Sequence, residues 1–415
     1  MPENILVIVV DCLRADFIYA PQRAPAPTID RLKIKGHSFV NTYSSTATTT
    51  PNFAALLTGL YPFENGVRTH QGYALPARIK TIPQHLQEKG YHTYAEVTGP
   101  LGREIQLDRG FDEYHFRDQK QTIHTDYGAS LREKFQRHFK APWFVLLHIW
   151  SLHTPRIVIE ECRGKKYGTS QYGRALASID KFLGQLLPLV GEDTLICFTS
   201  DHGECIAKSA FDGYIKSRKR KLIKHYRQKH PRKTHVSHYM RDCWIGHGIS
   251  NYQELVRIPV ILHHRQIKPG VSTTQIRQID ILPTILDIQG VPLDPSVTGK
   301  SAVGVMSGKD RRHRDAYMEA VSPMIPEEEG WLSTLCVDNQ YKFIRPWNER
   351  FGAELYDLQA DPAERNNICA GKPEIGAAMS RQIEQIRAEE KAGEEMSDED
   401  QSAVQDRLRS LGYLE

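Results

Sequence analysis

The sequence predicts an α/β fold, a large and mostly parallel sheet flanked by helices, followed by a smaller C-terminal α+β domain carrying a short antiparallel sheet. Three observations carry this. Four apolar, β-rich runs at 5–10, 143–150, 194–199 and 256–262 have the unbroken hydrophobicity of strands buried on both faces. Segments of helical period alternate with them; between 172 and 190, Leu176, Ile179, Phe182, Leu183, Leu186 and Leu187 recur at helical spacing. After about residue 310 the pattern changes to short alternating segments at 331–337, 341–345 and 354–358, which read as antiparallel strands with turns. The expected organisation is one domain over 1–310, with a basic insertion at 209–243, and a subdomain over 311–415 that ends in a helical tail from near residue 372.

Taken in order, the first strand ends in Asp11-Cys12-Leu13-Arg14-Ala15-Asp16. Open α/β sheets bind ligands beyond the carboxyl ends of their strands, so Asp11 is a candidate metal or substrate residue, with a helix N-cap as the plainer alternative. A short helix starts at Pro27, and 38–43 is a strand. It leads into Thr48-Thr49-Thr50-Pro51, where hydroxyls meet a first-turn proline and then a run of helix formers up to Gly59. Free N–H groups and the helix dipole favour an anion there, and a threonine oxygen is placed to attack a phosphate- or sulfate-like group. An ordinary Thr N-cap would look the same in isolation. The segment 82–89 is a helix closed by Gly90, and 92–97 a strand. Residues 101–140 are polar and give no clear assignment.

The strand at 143–150 runs into Ser151-Leu152-His153-Thr154-Pro155, which sets His153 at another carboxyl end. The strand at 194–199 is followed by Ser200-Asp201-His202-Gly203-Glu204. An adjacent Asp-His pair offers one oxygen and one nitrogen ligand at a single turn, which suits a divalent cation. Residues 214–235 hold ten Lys/Arg and no acid. Such a run is a solvated insertion or a surface that draws an anionic partner, nucleic acid or another polyanion, through its field. His247 lies between Gly246 and Gly248, which let the backbone approach a ligand closely. A last helix of this domain spans 279–286.

Composition narrows the class. A net charge of +4 makes any basic character local, and no apolar run approaches the ~20 residues of a bilayer span. The N-terminus enters a strand without a leader-like segment, and seven scattered cysteines lack CxxC spacing. Reduced thiols and a cytoplasmic location are the expectation.

With these stretches in this order, the chain resembles the sulfatase family of the alkaline phosphatase superfamily over nearly its whole length. Further matching pieces are Ala26-Pro27-Thr28-Ile29-Asp30-Arg31-Leu32, Leu57-Thr58-Gly59-Leu60-Tyr61-Pro62, Glu354-Leu355-Tyr356-Asp357-Leu358 and the ending Leu408-Arg409-Ser410-Leu411-Gly412-Tyr413-Leu414. The resemblance implies an alkaline phosphatase-like fold and one divalent metal ion (Mn, Ca, Mg or Zn) on Asp11, Thr49, Asp201 and His202. It implies Thr49 at the nucleophile position, and His153 and His247 on the substrate's anionic group or leaving oxygen. Departures are informative. Sulfatases of this family carry Cys or Ser, converted to formylglycine, where Thr49 stands, and an arginine where Phe53 stands. The family's Gly-Lys-x-His segment is replaced by Thr98-Gly99-Pro100-Leu101, Cys12 takes the place of a second acidic ligand, and Ile149 replaces the acid that a second zinc would need. A threonine nucleophile is similar to that of phosphodiesterase, phosphonate hydrolase and nucleotide pyrophosphatase relatives. The expectation is a metal-dependent hydrolase of small anionic phosphate or sulfate esters, with phosphate or phosphonate (di)esters favoured. Sulfuric ester hydrolysis, phosphoryl or headgroup transfer, and a non-catalytic metal-binding protein that recognises an anionic polymer are the alternatives.

Overall fold

The computed structural model describes residues 4–20, 24–207, 210–229, 246–248, 250–321, 331–347, 352–388, 390 and 393–413. The chain lays down β1 (Asn4–Val10), β2 (His37–Tyr43), a two-residue β3 (Tyr73–Ala74), β4 (His92–Val97), β5 (Glu113–Phe116), β6 (Trp143–Ile149), β7 (Thr194–Thr199), β8 (Arg257–His263), β9 (Gly270–Ser272) and β10 (Ile276–Arg277). All but β3 join one nine-stranded sheet in the order β10-β2-β8-β7-β1-β6-β4-β5, with β9 beside β2. The pairs β7-β1-β6-β4-β5 are parallel, and β8 runs antiparallel to both β7 and β2. The continuous apolar runs are explained by the period-2 side-chain alternation. Ile5, Val7 and Val9 of β1 enter one hydrophobic cluster, and Leu6, Ile8 and Val10 enter another on the opposite face.

The unassigned stretch 101–140 contains β5 and the helix Asp126–Arg137. That helix buries only Tyr127, Gly128, Leu131 and Phe135, a narrow stripe at i, i+4, i+8 that a mostly polar segment hides. Residues 214–229 of the basic run lie in the helix Ala210–Lys229, which exposes Phe211 and Tyr214, while 208–209 and 230–245, with the rest of the run, lie outside the described residues. After residue 310, β11 (Ala316–Val321), β12 (Trp331–Val337), β13 (Tyr341–Pro346) and β14 (Glu354–Asp357) form an antiparallel sheet in sequence order. Its side chains pack with Ala55, Tyr61 and Phe63 from the stretch that follows Thr49. Among the described residues, no helix is long and apolar enough to cross a membrane.

Candidate active site and metal centre

Parallel pairing brings the predicted strand ends together. In β1, Val9 is opposite His148 of β6 and Thr199 of β7, so Asp11, His148 and the Asp201-His202 turn emerge at the same edge. Thr49 arrives from the helix Thr49–Thr58, which starts two residues before Pro51 rather than after it; Pro51 still sits in the first turn. All ten residues of this helix are buried, and it ends at Gly59, whose φ of 67° and close neighbour Val297 leave no room for a side chain. Its entry is pinned by Asn52, which accepts from the Ser45 and Thr46 N–H groups (3.1 Å each) and donates to the Thr46 carbonyl at 2.8 Å.

One ligand atom each from Asp11, Asp201 and His202 lies within 4.8 Å of the others, and all three residues are buried. Thr49 Oγ1 is 3.3 Å from both Asp11 Oδ2 and His202 Nε2. Asp201 Oδ1 accepts from the Cys12 and His202 N–H groups at 3.2 and 2.8 Å. The first of these bonds depends on Cys12 adopting a left-handed φ of 61°, a strained conformation for a non-glycine residue that is held by the site itself. Asp201 Oδ2 has no hydrogen-bond partner and lies 3.3 Å from His202 Nε2. His202 Nδ1 is 2.8 Å from the Gly203 carbonyl, which can only accept, so neutral His202 presents a bare Nε2. His148 repeats the motif: Nδ1 faces the Thr98 carbonyl at 3.2 Å and Nε2 faces Asp11 Oδ2, also at 3.2 Å.

Lone pairs from two carboxylates and two imidazoles thus converge, the Thr49 hydroxyl lies among them, and the Cys12 thiol donates to Asp11 Oδ1 at 2.8 Å. Burial, and then the Asp11 carboxylate, pushes Asp201 up to about 6. Burial opposes a charge on His202, but Asp201 and Asp11 outweigh it and raise it. An orphaned carboxylate oxygen beside a bare ring nitrogen in a dry site is what a cation would satisfy, so these residues fit a divalent ion. Cys12, His202 and His247 form a second, softer donor set. It shares His202, so the two sets are alternatives for one ion.

His153 and His247 come within 5.3 Å of each other, ring centre to ring centre, and the His247 ring is 4.4 Å from that of His202. His153 stacks on Trp150 at 4.0 Å. Burial lowers His153 to about 4 and holds His247 well below the usual range, so both are neutral at pH 7. His247 Nδ1 is 3.5 Å from both Cys12 Sγ and Glu204 Oε1, and Glu204 is in turn paired with Arg156. The structure therefore brings all six predicted residues, Asp11, Thr49, His153, Asp201, His202 and His247, into one cluster. Thr48 and Thr50 turn elsewhere: Thr48 Oγ1 meets Thr46 Oγ1 at 2.8 Å, and Thr50 donates to the Pro100 carbonyl at 2.9 Å. Three contributors were not singled out from sequence. His148 is a polar residue inside an apolar strand, a signal that was legible. Glu204 and Tyr413 carried none beyond their place in matching stretches. Phe53, in place of the family's arginine, packs edge-on against the His148 ring at 4.8 Å.

Residues 3–291 match the Sulfatase family, and 249–389 match the N-sulphoglucosamine sulphohydrolase C-terminal family. An N-acetylgalactosamine-6-O-sulfatase of Bacteroides thetaiotaomicron is 23% identical, the match covering 92% of this chain and 93% of that protein. Among solved structures, Ps i-CgsB in complex with k-i-k-neocarrahexaose has a TM-score of 0.71 at 17% identity, covering 99% of this chain and 97% of that one. A phosphonate monoester hydrolase of Agrobacterium radiobacter has a TM-score of 0.69 at 18% identity, covering 94% and 96%. These likenesses show the fold, and the family match spans well over half of the sequence. The chain belongs to the sulfatase family and is a sulfatase-family ester hydrolase.

Proposed function

We propose that the protein hydrolyses a monoanionic ester, a sulfate monoester on a carbohydrate, with the unmodified Thr49 hydroxyl as nucleophile. The observation that carries this is the charge inventory. Asp11 and Asp201 bring two negative charges, Glu204 is cancelled by Arg156, and His153 and His247 are neutral. Among the described residues, no lysine or arginine is a hydrogen-bond or ion-pair partner of Asp11, Thr49, His153, Asp201, His202 or His247. One divalent ion then brings the centre to about neutral, so a singly charged ester fits better than a doubly charged phosphate monoester. Asp11, Thr49, Asp201 and His202 would hold that ion, which when bound supplies positive charge to the ester's non-bridging oxygens and lowers the pKa of a hydroxyl at the site.

The chain's own groups do the rest. The buried helix start fixes Thr49 Oγ1, and its proton is directed at Asp11 Oδ2 or His202 Nε2. His153 and His247 bring two neutral rings beside it. The relatives favour sulfate: the names of the curated ones speak of sulfatases, and one solved neighbour is in complex with k-i-k-neocarrahexaose. This moves the weight from the phosphoryl transfer expected from sequence to sulfuryl transfer. A second reading, phosphonate monoester or phosphodiester hydrolysis, has equal charge and is favoured by the free threonine hydroxyl and by two phosphonate monoester hydrolases of the same fold. The test is a screen of chelated, repurified protein on chromogenic sulfate monoesters, phosphonate monoesters, phosphodiesters and phosphate monoesters, with Mn²⁺, Ca²⁺, Mg²⁺ and Zn²⁺ added separately. Turnover should be highest on the sulfates and lowest on the phosphate monoesters. A phosphate monoester that outruns every monoanion would overturn the charge argument.

A further inference from the structure

The last described residues reach the site from far along the chain, Tyr413 lying 260 residues from His153 and 166 from His247. The helix Asp398–Ser410 buries Val404 and Leu408 in the same cluster as Leu101, Ile105 and Leu107, and Arg407 forks onto Glu104 at 2.7 and 2.8 Å. Gly412, at a left-handed φ of 79°, turns the chain, and the Tyr413 N–H donates back to the Leu408 carbonyl at 2.9 Å. The Tyr413 ring then lies 5.1 Å from that of His70, and its hydroxyl is 3.0 Å from His153 Nε2 and 3.1 Å from His247 Nε2.

One phenol has one proton, and that decides the chain of hydrogen bonds. His153 Nδ1 is 2.8 Å from the Thr154 carbonyl, which can only accept, so Nδ1 carries the proton and Nε2 is bare. The Tyr413 hydroxyl must therefore donate to His153 Nε2. Its oxygen is left only to accept, so the 3.1 Å contact is a hydrogen bond when His247 carries its proton on Nε2. Two chemically equal rings are made unequal. One Nε2 accepts and the other donates, and the Tyr413 hydroxyl engages both.

We propose that Tyr413 is a positioning residue of the active site, whose hydroxyl donates to one ring and accepts from the other, so fixing His153 and His247 in opposite tautomers and holding both rings in place beside the candidate metal centre. The kinetic arm of its test rests on the ester-hydrolase reading above; the spectroscopic arm does not. Tyr413→Phe keeps the ring against His70 and removes only the hydroxyl, and a chain ending at Ser410 removes the whole contact. On the best ester found, Tyr413→Phe should lower kcat about tenfold, the worth of one well-made hydrogen bond in the transition state, with KM changed less than about twofold. In ¹⁵N-histidine NMR of the full Mg²⁺-loaded chain at neutral pH, wild type should show His153 as Nδ1–H and His247 as Nε2–H. Tyr413→Phe should convert His247 to a tautomer mixture without shifting the melting temperature. Unchanged tautomers in the variant, or equal tautomers in wild type, would overturn the proposal. So would faster turnover in Tyr413→Phe or the truncated chain, since the tyrosine would then merely fill the cleft. A wild type inactive on every ester would defeat the functional reading, and the NMR result alone would then decide the role of Tyr413.

Discussion

Asp201→Asn should make the metal-free protein more stable and the metal-loaded protein less so. Without a cation, Asp201 Oδ2 is buried, has no hydrogen-bond partner, and lies 3.3 Å from His202 Nε2. Its pKa rises from 3.8 to about 6 on folding, through burial first and the Asp11 charge second. A raised acid means that the native state holds more protons than the unfolded chain between those values, so stability falls as pH rises from about 4 to 6. That rise corresponds to about 3 kcal/mol lost by pH 7. Asparagine removes the charge and keeps Oδ1 for the Cys12 and His202 N–H groups. Urea unfolding in excess chelator should therefore show equal stabilities near pH 4 and an advantage for Asp201→Asn growing to about 3 kcal/mol at pH 7. Adding Mn²⁺ should reverse the order, because ligand at 100 times its Kd stabilises wild type by about 2.7 kcal/mol and the variant far less. A variant less stable than wild type at pH 7 in chelator, or one that gains as much from Mn²⁺, would refute the assignment of Asp201 to a cation site.

Three further outcomes are expected. Thr49→Ala should cost about 10³-fold or more in kcat with the fold intact, whereas Thr48→Ala, whose hydroxyl meets Thr46 and no site residue, should cost little; near-wild-type turnover in Thr49→Ala would end the covalent mechanism. Asp280 is buried between Arg277 (2.8 Å) and Arg314 (3.0 Å), which together outweigh burial and hold its carboxyl below 3.8. Its stabilisation is present at neutral pH and is lost as pH falls below about 4. Asp280→Asn should therefore lower the unfolding free energy by about 3–5 kcal/mol at pH 7, read by denaturant titration, with the difference shrinking in acid. Neutralising Lys219, Arg220 and Lys221 on the helix Ala210–Lys229 should raise KM mainly at low ionic strength; a KM without salt dependence would make that helix a solvated surface.

Asp11, His153 and Asp201-His202 were legible in the sequence because of one physical regularity, and His247 because of the glycines on either side of it. A buried parallel strand is apolar throughout, so the first polar residue after it marks a carboxyl end, and parallel neighbours share that edge. The same reasoning placed Thr49 near an anion, because a helix start leaves its N–H groups unpaired whatever its exact first residue. The polar stretch 101–140 was not legible, since the helix Asp126–Arg137 buries one narrow stripe and its charged majority masks the period. Nor could sequence show that β8 runs against its neighbours, because strand direction follows from where the long connections return and not from composition. His148 stood in plain view as a lone polar residue in an apolar strand, yet only the register with β1 reveals that it faces Asp11. Tyr413 is the clearest case of a tertiary decision. Nothing local distinguishes it from a surface tyrosine after a helix, and its partners His153 and His247 lie 260 and 166 residues away. Hydrogen bonds across such separations depend on where packed helices come to rest, here on the burial of Val404 and Leu408 and the clasp of Arg407 on Glu104, and only the folded chain determines that.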